Sequence, residues 1–102
     1  MIWTIEELTE KIRPIAERHG LKEVYLFGSY ARGDATEESD VDLLIGTEKI
    51  GGFEYCGMCD ELENTLNKSV DVVMLVSLER TRKNPLGERF AKEIELDRMR
   101  II

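Results

Sequence analysis

The sequence predicts one layered α/β domain, in which a small mixed β-sheet is packed by helices. Helical and strand patterns alternate in the order α-β-α-β-α-β-α, which is typical of a layered α/β domain. The 102 residues suffice for one hydrophobic core but not for two, so residues 1–102 are predicted to form a single domain. Hydrophobic residues at 42% and charged residues at 34% fit a folded rather than a disordered chain.

Charge and cysteine content limit the classes of function. The net charge is −7 and there is no long basic run, so no direct nucleic-acid partner is expected. The sequence shows no signal-like segment and no apolar run long enough to span a membrane, so no membrane partner is expected. Cys56 and Cys59 do not form a secreted disulfide framework. We therefore expect a cytoplasmic protein.

The first element is predicted to be an amphipathic helix. Thr4 and Glu7 have the spacing of a capping box. Apolar residues then recur at helical spacing, and Gly20 is a plausible C-terminal stop. Pro14 lies inside the pattern and removes a backbone hydrogen bond, so a bend or a split is expected there.

The middle of the chain is predicted to contain three strands and a second long helix. The first strand covers residues 21–27 and the second covers residues 41–45. A loop at Gly51-Gly52 precedes a helix with one apolar face, formed by Tyr55, Cys59, Leu62 and Leu66. Residues 69–76 form the most β-prone run, and we expect them to be the central strand.

The C-terminal part is predicted to begin with a basic segment and to continue as a helix. The basic residues are expected in a solvated loop, although they could also meet a phosphate or an acidic partner; they are Arg80, Arg82 and Lys83. Asn84-Pro85 starts a helix at about Leu86. Its buried face is predicted to consist of Leu86, Phe90 and Ile94. Residues 99–102 are expected to form an edge strand or an apolar tail.

Five residues combine into a candidate site for a nucleotide and a divalent metal. Gly28 and Ser29 follow the first strand and begin a helical turn, where unpaired N–H groups favour a phosphate. Asp40 and Asp42 are two residues apart, so both carboxylates project from the same face of the second strand. If the strand that carries Asp71 lies beside it, three carboxylates converge at one end of the sheet. Three such oxygen ligands suit Mg²⁺, and two ions could be held.

Further roles follow from this placement. Arg32 is three residues beyond Ser29, so it lies on the same helical face and could reach the same phosphates. Asp71 is best placed to accept a proton from an incoming hydroxyl, with Asp40 and Asp42 as the metal ligands. Taken alone, Gly28-Ser29 is explained by a structural turn with an N-cap serine. Asp40 and Asp42 taken alone are explained by a solvated strand end.

The combined pattern resembles the polymerase-beta-type nucleotidyltransferase superfamily. It consists of Gly28-Ser29, ten further residues, Asp40-Val41-Asp42, and Asp71 on a later strand. Leu-Phe-Gly-Ser-Tyr-Ala-Arg-Gly followed by Ser-Asp-Val-Asp-Leu-Leu is similar to the minimal nucleotidyltransferases, the MntA-like antitoxins. The resemblance implies Mg²⁺ bound by the three aspartates and the triphosphate of ATP on the Gly-Ser turn. It also implies a HEPN-domain ribonuclease toxin as partner, silenced by transfer of AMP to a tyrosine.

The sequence is also compatible with two other functions. A non-catalytic antitoxin would neutralise its toxin by binding alone, although it would need no cluster of aspartates. A small hydroxyl compound such as an aminoglycoside could also accept the nucleotide, but the chain has little left over to hold it. Because an acceptor surface must then come from elsewhere, a protein acceptor is favoured.

Other residues that could carry chemistry have ordinary explanations. The cysteines of Cys56-Gly57-Met58-Cys59 have the spacing of half a zinc site or a redox pair, but we expect buried or half-buried helix cysteines. His19 is expected to be exposed or to contact the helix dipole. Core packing or a partner surface would explain equally well a set of apolar and aromatic residues, namely Tyr30, Phe53, Met99, Ile101 and Ile102.

Overall fold

The computed structural model describes residues 2–47 and 50–102, and helices alternate with strands along them. The helices are α1 (Ile5–Arg18), α2 (Gly28–Arg32), α3 (Gly52–Leu66), α4 (Leu75–Thr81) and α5 (Pro85–Asp97). The strands are β1 (Glu23–Phe27), β2 (Val41–Gly46), β3 (Val70–Met74) and β4 (Met99–Arg100). No helix in this part of the chain combines the length and hydrophobicity that crossing a bilayer requires.

The four strands form one mixed sheet in the order β3-β2-β1-β4. Strand β1 runs antiparallel to both β2 and β4, whereas β2 and β3 are parallel. Successive residues of β2 face opposite sides, so Leu43 and Ile45 pack in a core with α1 and α3, and Leu44 packs in another with α4 and α5. The predicted α/β class with a small mixed sheet is confirmed.

Helix α1 follows its sequence signals closely. The Thr4 side chain accepts a hydrogen bond from the Glu7 N–H, and the Glu7 side chain accepts one from the Thr4 N–H, so the capping box is complete. Gly20 adopts a φ of +66° just beyond the helix, which confirms it as the stop. The helix runs unbroken through Pro14, so the expectation of a split is wrong.

Strand β3 lies at the edge of the sheet, so its predicted central position is wrong. It pairs with β2 and ends at Met74, because the following residues form α4. High β propensity reports a good fit to a pleated, half-buried surface, which an edge strand covered by helices also offers. One consequence is that Asp71 is exposed and does not bear the desolvation cost of a buried carboxylate.

The basic segment is only partly the solvated loop that was predicted, because Lys83 is exposed in a turn whereas Arg80 is helical and Arg82 is half-buried. Arg80 lies in α4, a helix that periodicity did not reveal, and Arg82 is the C-terminal cap of that helix. Arg82 forms ion pairs with Glu79 on α4 and with Glu95 on α5. Its charge therefore helps to join the two helices.

Helix α5 begins as predicted but buries a different face. Asn84 caps the helix by accepting a hydrogen bond from the Gly87 N–H at 2.9 Å. The buried residues are Gly87, Ala91 and Ile94. Leu86 and Phe90 are 82% and 44% exposed, so the predicted face is wrong for both. Small residues face inward because the backbone of α5 approaches α4 closely.

Replacing Gly87 with alanine is expected to destabilise the protein by about 2 kcal/mol, because the site is overpacked. A Cβ there would overlap the carbonyl oxygen of Thr81 and lie 2.7 Å from its carbonyl carbon. Gly57→Ala is the matched control, because Gly57 is also helical but a Cβ there meets no atom within 4 Å. That change should stabilise the protein by about 0.5–1 kcal/mol. Urea unfolding of both variants measures the difference, and equal free energies of unfolding would contradict the packing argument.

Several predicted boundaries and apolar positions differ in how well they agree with the structure. Strand β4 pairs with β1, which confirms an edge strand in residues 99–102. Strand β1 starts at Glu23, two residues later than predicted, and Gly52 already belongs to α3. Tyr30 is buried in the core, whereas Phe53 is 99% exposed. Met99 is also exposed, and Ile101 and Ile102 pack partly against the core.

Candidate active site

Strand register brings two of the predicted acids together. Asp42 of β2 is directly opposite Asp71 of β3 in the parallel pair, and it is opposite Phe27 of β1 on its other side. The prediction that the two acidic strands are neighbours is confirmed. Asp40 is exposed and immediately precedes β2.

The three carboxylates do not form an assembled metal cluster. Among residues 2–47 and 50–102, no group of three or more His, Cys, Asp or Glu side chains is arranged to hold an ion. The close pair is Asp42 and Asp71, and Asp40 acts on Asp42 through its charge.

Asp42 has an unusual protonation equilibrium. The pKa of Asp42 is raised from 3.8 to about 6, mainly by burial and next by the negative charge of Asp71. A hydrogen bond with Asp71 and the charge of Asp40 contribute to the same increase, whereas the positive charge of Arg32 opposes it. Asp42 is therefore half protonated at about pH 6, because its carboxylate is half-buried beside other negative charges.

Gly28 makes room for the Asp42 carboxylate. Its φ of +74° lies in the left-handed region, which strongly favours glycine. A Cβ at this position would overlap Asp42 Oδ2 and lie 3.1 Å from its Cγ. The backbone turn and the carboxylate are therefore in direct contact, so the Gly-Ser motif and the acidic strand form one site.

Helix α2 places Ser29 and Arg32 beside this contact. Phe27 occupies the N-cap position without a side-chain hydrogen bond, so no side chain caps the first turn. Ser29 is half-buried in that turn. Arg32 donates a hydrogen bond to Asp97 at 2.9 Å and lies 3.4 Å from Asp34. The bond to Asp97 is the main cause that raises the pKa of Arg32.

A small cavity extends from this turn toward α5. Its volume is about 150 Å³. Its lining includes Gly28, Arg32, Phe90, Glu93 and Asp97. These α5 residues were not predicted as part of the site, because no local motif marks them and only the packing of α5 brings them to it.

The residues present fit a divalent cation bound together with a nucleotide. Carboxylate oxygens are the hard ligands that Mg²⁺ prefers, and Mg²⁺ normally completes its shell with water and phosphate oxygens. A cation near Asp42 and Asp71 would offset both the burial of the Asp42 carboxylate and its repulsion by Asp71, the two main causes of its raised pKa. Because Gly28 has no side chain, the Asp42 carboxylate can lie directly against the turn.

The other candidate residues lie away from this site. Cys59 is half-buried as expected, whereas Cys56 is exposed, so that part of the expectation is wrong; both thiols are free. The two ring nitrogens of His19 are 3.1 Å from Glu54 and 3.2 Å from Glu61. His19 thus links α1 to α3 instead of being exposed or only contacting the helix dipole.

The comparison with known families decides the class of the protein. The nucleotidyltransferase domain family matches residues 8–102. The chain belongs to this family. The protein is therefore an enzyme. The resemblance to nucleotidyltransferases, which was inferred from the Gly-Ser turn and the aspartates, is confirmed at the level of the family.

A curated relative and two solved structures resemble the nucleotidyltransferase. Protein adenylyltransferase MntA of Thermococcus cleftensis is 41% identical over 80 residues, 74% of this chain and 81% of the relative. A toxin–antitoxin crystal structure with AMP-PNP gives a TM-score of 0.70 at 20% identity, over 92% of this chain and 72% of that one. A complex of a tri-AMPylated HEPN toxin and an MNT antitoxin from Shewanella oneidensis gives a TM-score of 0.67 at 17% sequence identity. The match covers 97% of this chain and 72% of that one. The two structures support the fold, and the sequence relative makes the nucleotidyltransferase an MntA homologue.

Proposed function

We propose that this nucleotidyltransferase is a Mg²⁺-dependent protein adenylyltransferase that transfers AMP from ATP to a tyrosine of a HEPN-domain toxin. The observation that carries the proposal is the contact between Gly28 and Asp42, with Asp71 beside Asp42 in the neighbouring strand. The MntA relative is a protein adenylyltransferase by name, and one structural neighbour holds an AMPylated HEPN toxin. Both support the choice of nucleotide and partner.

The proposed binding roles follow the geometry of the site. Asp42 and Asp71 hold the metal as the close pair, and Asp40 completes the set from the start of β2. When bound, Mg²⁺ neutralises phosphate charge and supports an in-line displacement. Backbone N–H groups at Gly28 and Ser29 bind the triphosphate, and Arg32 adds a positive charge to the same side.

The proposed reaction is a displacement at the α-phosphorus of ATP. The tyrosine oxygen forms a bond to the α-phosphorus, the bond from that phosphorus to the bridging oxygen breaks, and pyrophosphate leaves with its electron pair. The tyrosine proton passes to the Asp71 carboxylate. Asp71 is exposed on an edge strand, so an acceptor on another protein can approach it.

We also propose that the protein is a single domain and that it is located in the cytoplasm. The family matches residues 8–102 as one unit, which supports residues 1–102 as a single minimal nucleotidyltransferase domain. Both cysteines are free thiols, which supports a reducing compartment such as the cytoplasm, where ATP is available.

Labelling of the partner tests the proposed function. The protein is incubated with a purified HEPN-domain toxin, with Mg²⁺ and with ATP radiolabelled at the α-phosphate. We expect label on the partner, loss of label when EDTA removes the metal, and loss when the partner's acceptor tyrosine is changed to phenylalanine. ATP labelled at the γ-phosphate should leave the partner unlabelled, because pyrophosphate departs.

Two outcomes would favour the alternatives. If wild type neutralises the toxin in cells without labelling it, and Asp42→Asn neutralises it equally well, the protein acts by binding alone. If a small hydroxyl compound such as an aminoglycoside is turned over without any protein partner, the protein acceptor is wrong.

A further inference from the structure

Lys68 forms hydrogen bonds to the loop that carries Asp40. It lies between α3 and β3, in a turn that begins with Asn67 at a φ of +53°. Its ammonium group donates to the carbonyl oxygen of Glu37 at 2.6 Å and lies 3.3 Å from the carbonyl oxygen of Ser39. The loop between α2 and β2 is thereby joined to the start of β3.

The next residue holds the loop from the other side of Asp40. The carbonyl oxygen of Ser69 accepts a hydrogen bond from the Val41 N–H at 3.0 Å. Ser39 and Val41 are the two neighbours of Asp40 in the chain, and each is bonded to the segment formed by Lys68 and Ser69. That segment leads directly into the strand that carries Asp71.

Lys68 also contacts the helix that follows the Gly-Ser turn. Its ammonium group lies 5.9 Å from the centre of the Tyr30 ring, within the range of a cation–π contact. Tyr30 is buried and follows Ser29 directly. One side chain therefore joins three parts of the site, namely the turn of α2, the Asp40 loop and the start of β3.

The loop needs such an attachment because it is acidic. Glu37, Glu38 and Asp40 lie within four residues, and the charge of Asp40 acts on Asp42. Hydrogen bonds between Thr36 and Ser39 shape the turn but stay within the loop. A positive charge that binds the loop carbonyls offsets the repulsion and orders the loop before a ligand arrives.

We propose that Lys68 is a positioning residue that holds Asp40 in place for the metal and the nucleotide. The inference rests on the proposed function, because it assigns Asp40 to the metal site. Outer residues that orient metal ligands typically change metal affinity or activity by about 10–100-fold when they are replaced. Lys68 has this kind of role, because it binds the backbone carbonyls of Glu37 and Ser39, and Ser39 directly precedes Asp40.

The test measures metal binding without the acceptor protein. Lys68→Met removes the ammonium group and keeps most of the side-chain stem. Free Mn²⁺ is measured by electron paramagnetic resonance in the presence of AMP-PNP, and we expect about 10-fold weaker Mn²⁺ binding than in wild type. Lys68→Arg keeps a donor that reaches the same carbonyls and should recover most of the affinity.

Lys11→Met is the matched control. Lys11 lies on α1 with its ammonium group 5.3 Å from the centre of the Trp3 ring, so the change also removes a charge and a cation–π contact. It should bind Mn²⁺ within about twofold of wild type, with a similar change in melting temperature to Lys68→Met. Wild-type affinity in Lys68→Met, or equal losses in the two methionine variants, would overturn the role of Lys68. Absence of Mn²⁺ binding in wild type would instead overturn the proposed metal site.

Discussion

Replacing Asp42 with asparagine is expected to lower AMP transfer severely and to stabilise the nucleotide-free protein. The amide keeps the shape of the carboxylate but lacks the charge that a metal ligand needs, so transfer should fall by about 1,000-fold. Stability should rise because the carboxylate is ionised against the charges of Asp71 and Asp40 in a half-buried position. Transfer is measured with α-labelled ATP, and stability by urea unfolding without metal.

The gain in stability should depend on pH. The pKa of Asp42 is raised from 3.8 to about 6 on folding, so the folded state holds its proton more tightly. The stabilising effect of protonation is fully present below about pH 4 and is lost as the pH rises through about 6. Because water screens the half-buried group, we expect Asp42→Asn to add about 1 kcal/mol at about pH 8 and little at about pH 4.

Asp60→Asn is the control for this substitution. Asp60 is exposed on α3, away from the cavity beside Gly28, and the chemical change is identical. It should transfer AMP like wild type and show no pH-dependent gain in stability. Full transfer by Asp42→Asn would contradict the proposed metal site, and a gain in stability that does not vary with pH would contradict the raised pKa of Asp42.

Replacing Gly28 with alanine is expected to inactivate the site through the position of Asp42. The added Cβ would overlap Asp42 Oδ2, so either the carboxylate or the turn must move. A φ of +74° also disfavours alanine, which costs about 1–2 kcal/mol of stability. We expect transfer to fall by at least about 100-fold, since displacing a reacting group by about 1 Å has effects of this size.

Gly20→Ala separates backbone strain from the displacement of Asp42. Gly20 has a similar φ of +66°, but a Cβ there meets no atom within 4 Å. It should lose about 1 kcal/mol of stability and keep full transfer activity. Comparable activity losses in both glycine variants would show that strain or instability, and not the contact with Asp42, lowers the rate.

Local sequence signals predicted those parts of the fold that depend on near neighbours. The capping box of Thr4 and Glu7, the stop at Gly20 and the Asn84 cap act within four residues, so they are visible in the sequence. Alternation along a strand determines which side chains share a face, but the position of Asp42 opposite Asp71 depends on the pairing of β2 with β3.

The predictions that were wrong concern features that depend on packing between distant segments of the chain. Strand β3 has the composition of a central strand, but its place at the edge depends on how the chain returns to the sheet. Phe90 is exposed because Gly87 and Ala91 allow α5 to approach α4 more closely. Helix α4 was missed because only packing distinguishes it from a continuation of β3.

The sequence by itself determined the chemical character of this protein. Gly28-Ser29 and the aspartates at 40, 42 and 71 carry the resemblance to the nucleotidyltransferases, because a phosphate turn and carboxylate ligands are recognisable at short spacing. Only the tertiary structure decided how these groups touch. The contact of Gly28 with Asp42, the bond of Arg32 to Asp97 and the attachment of the Asp40 loop by Lys68 join residues far apart in the chain. Such contacts depend on packing, for which the sequence carries no local signal.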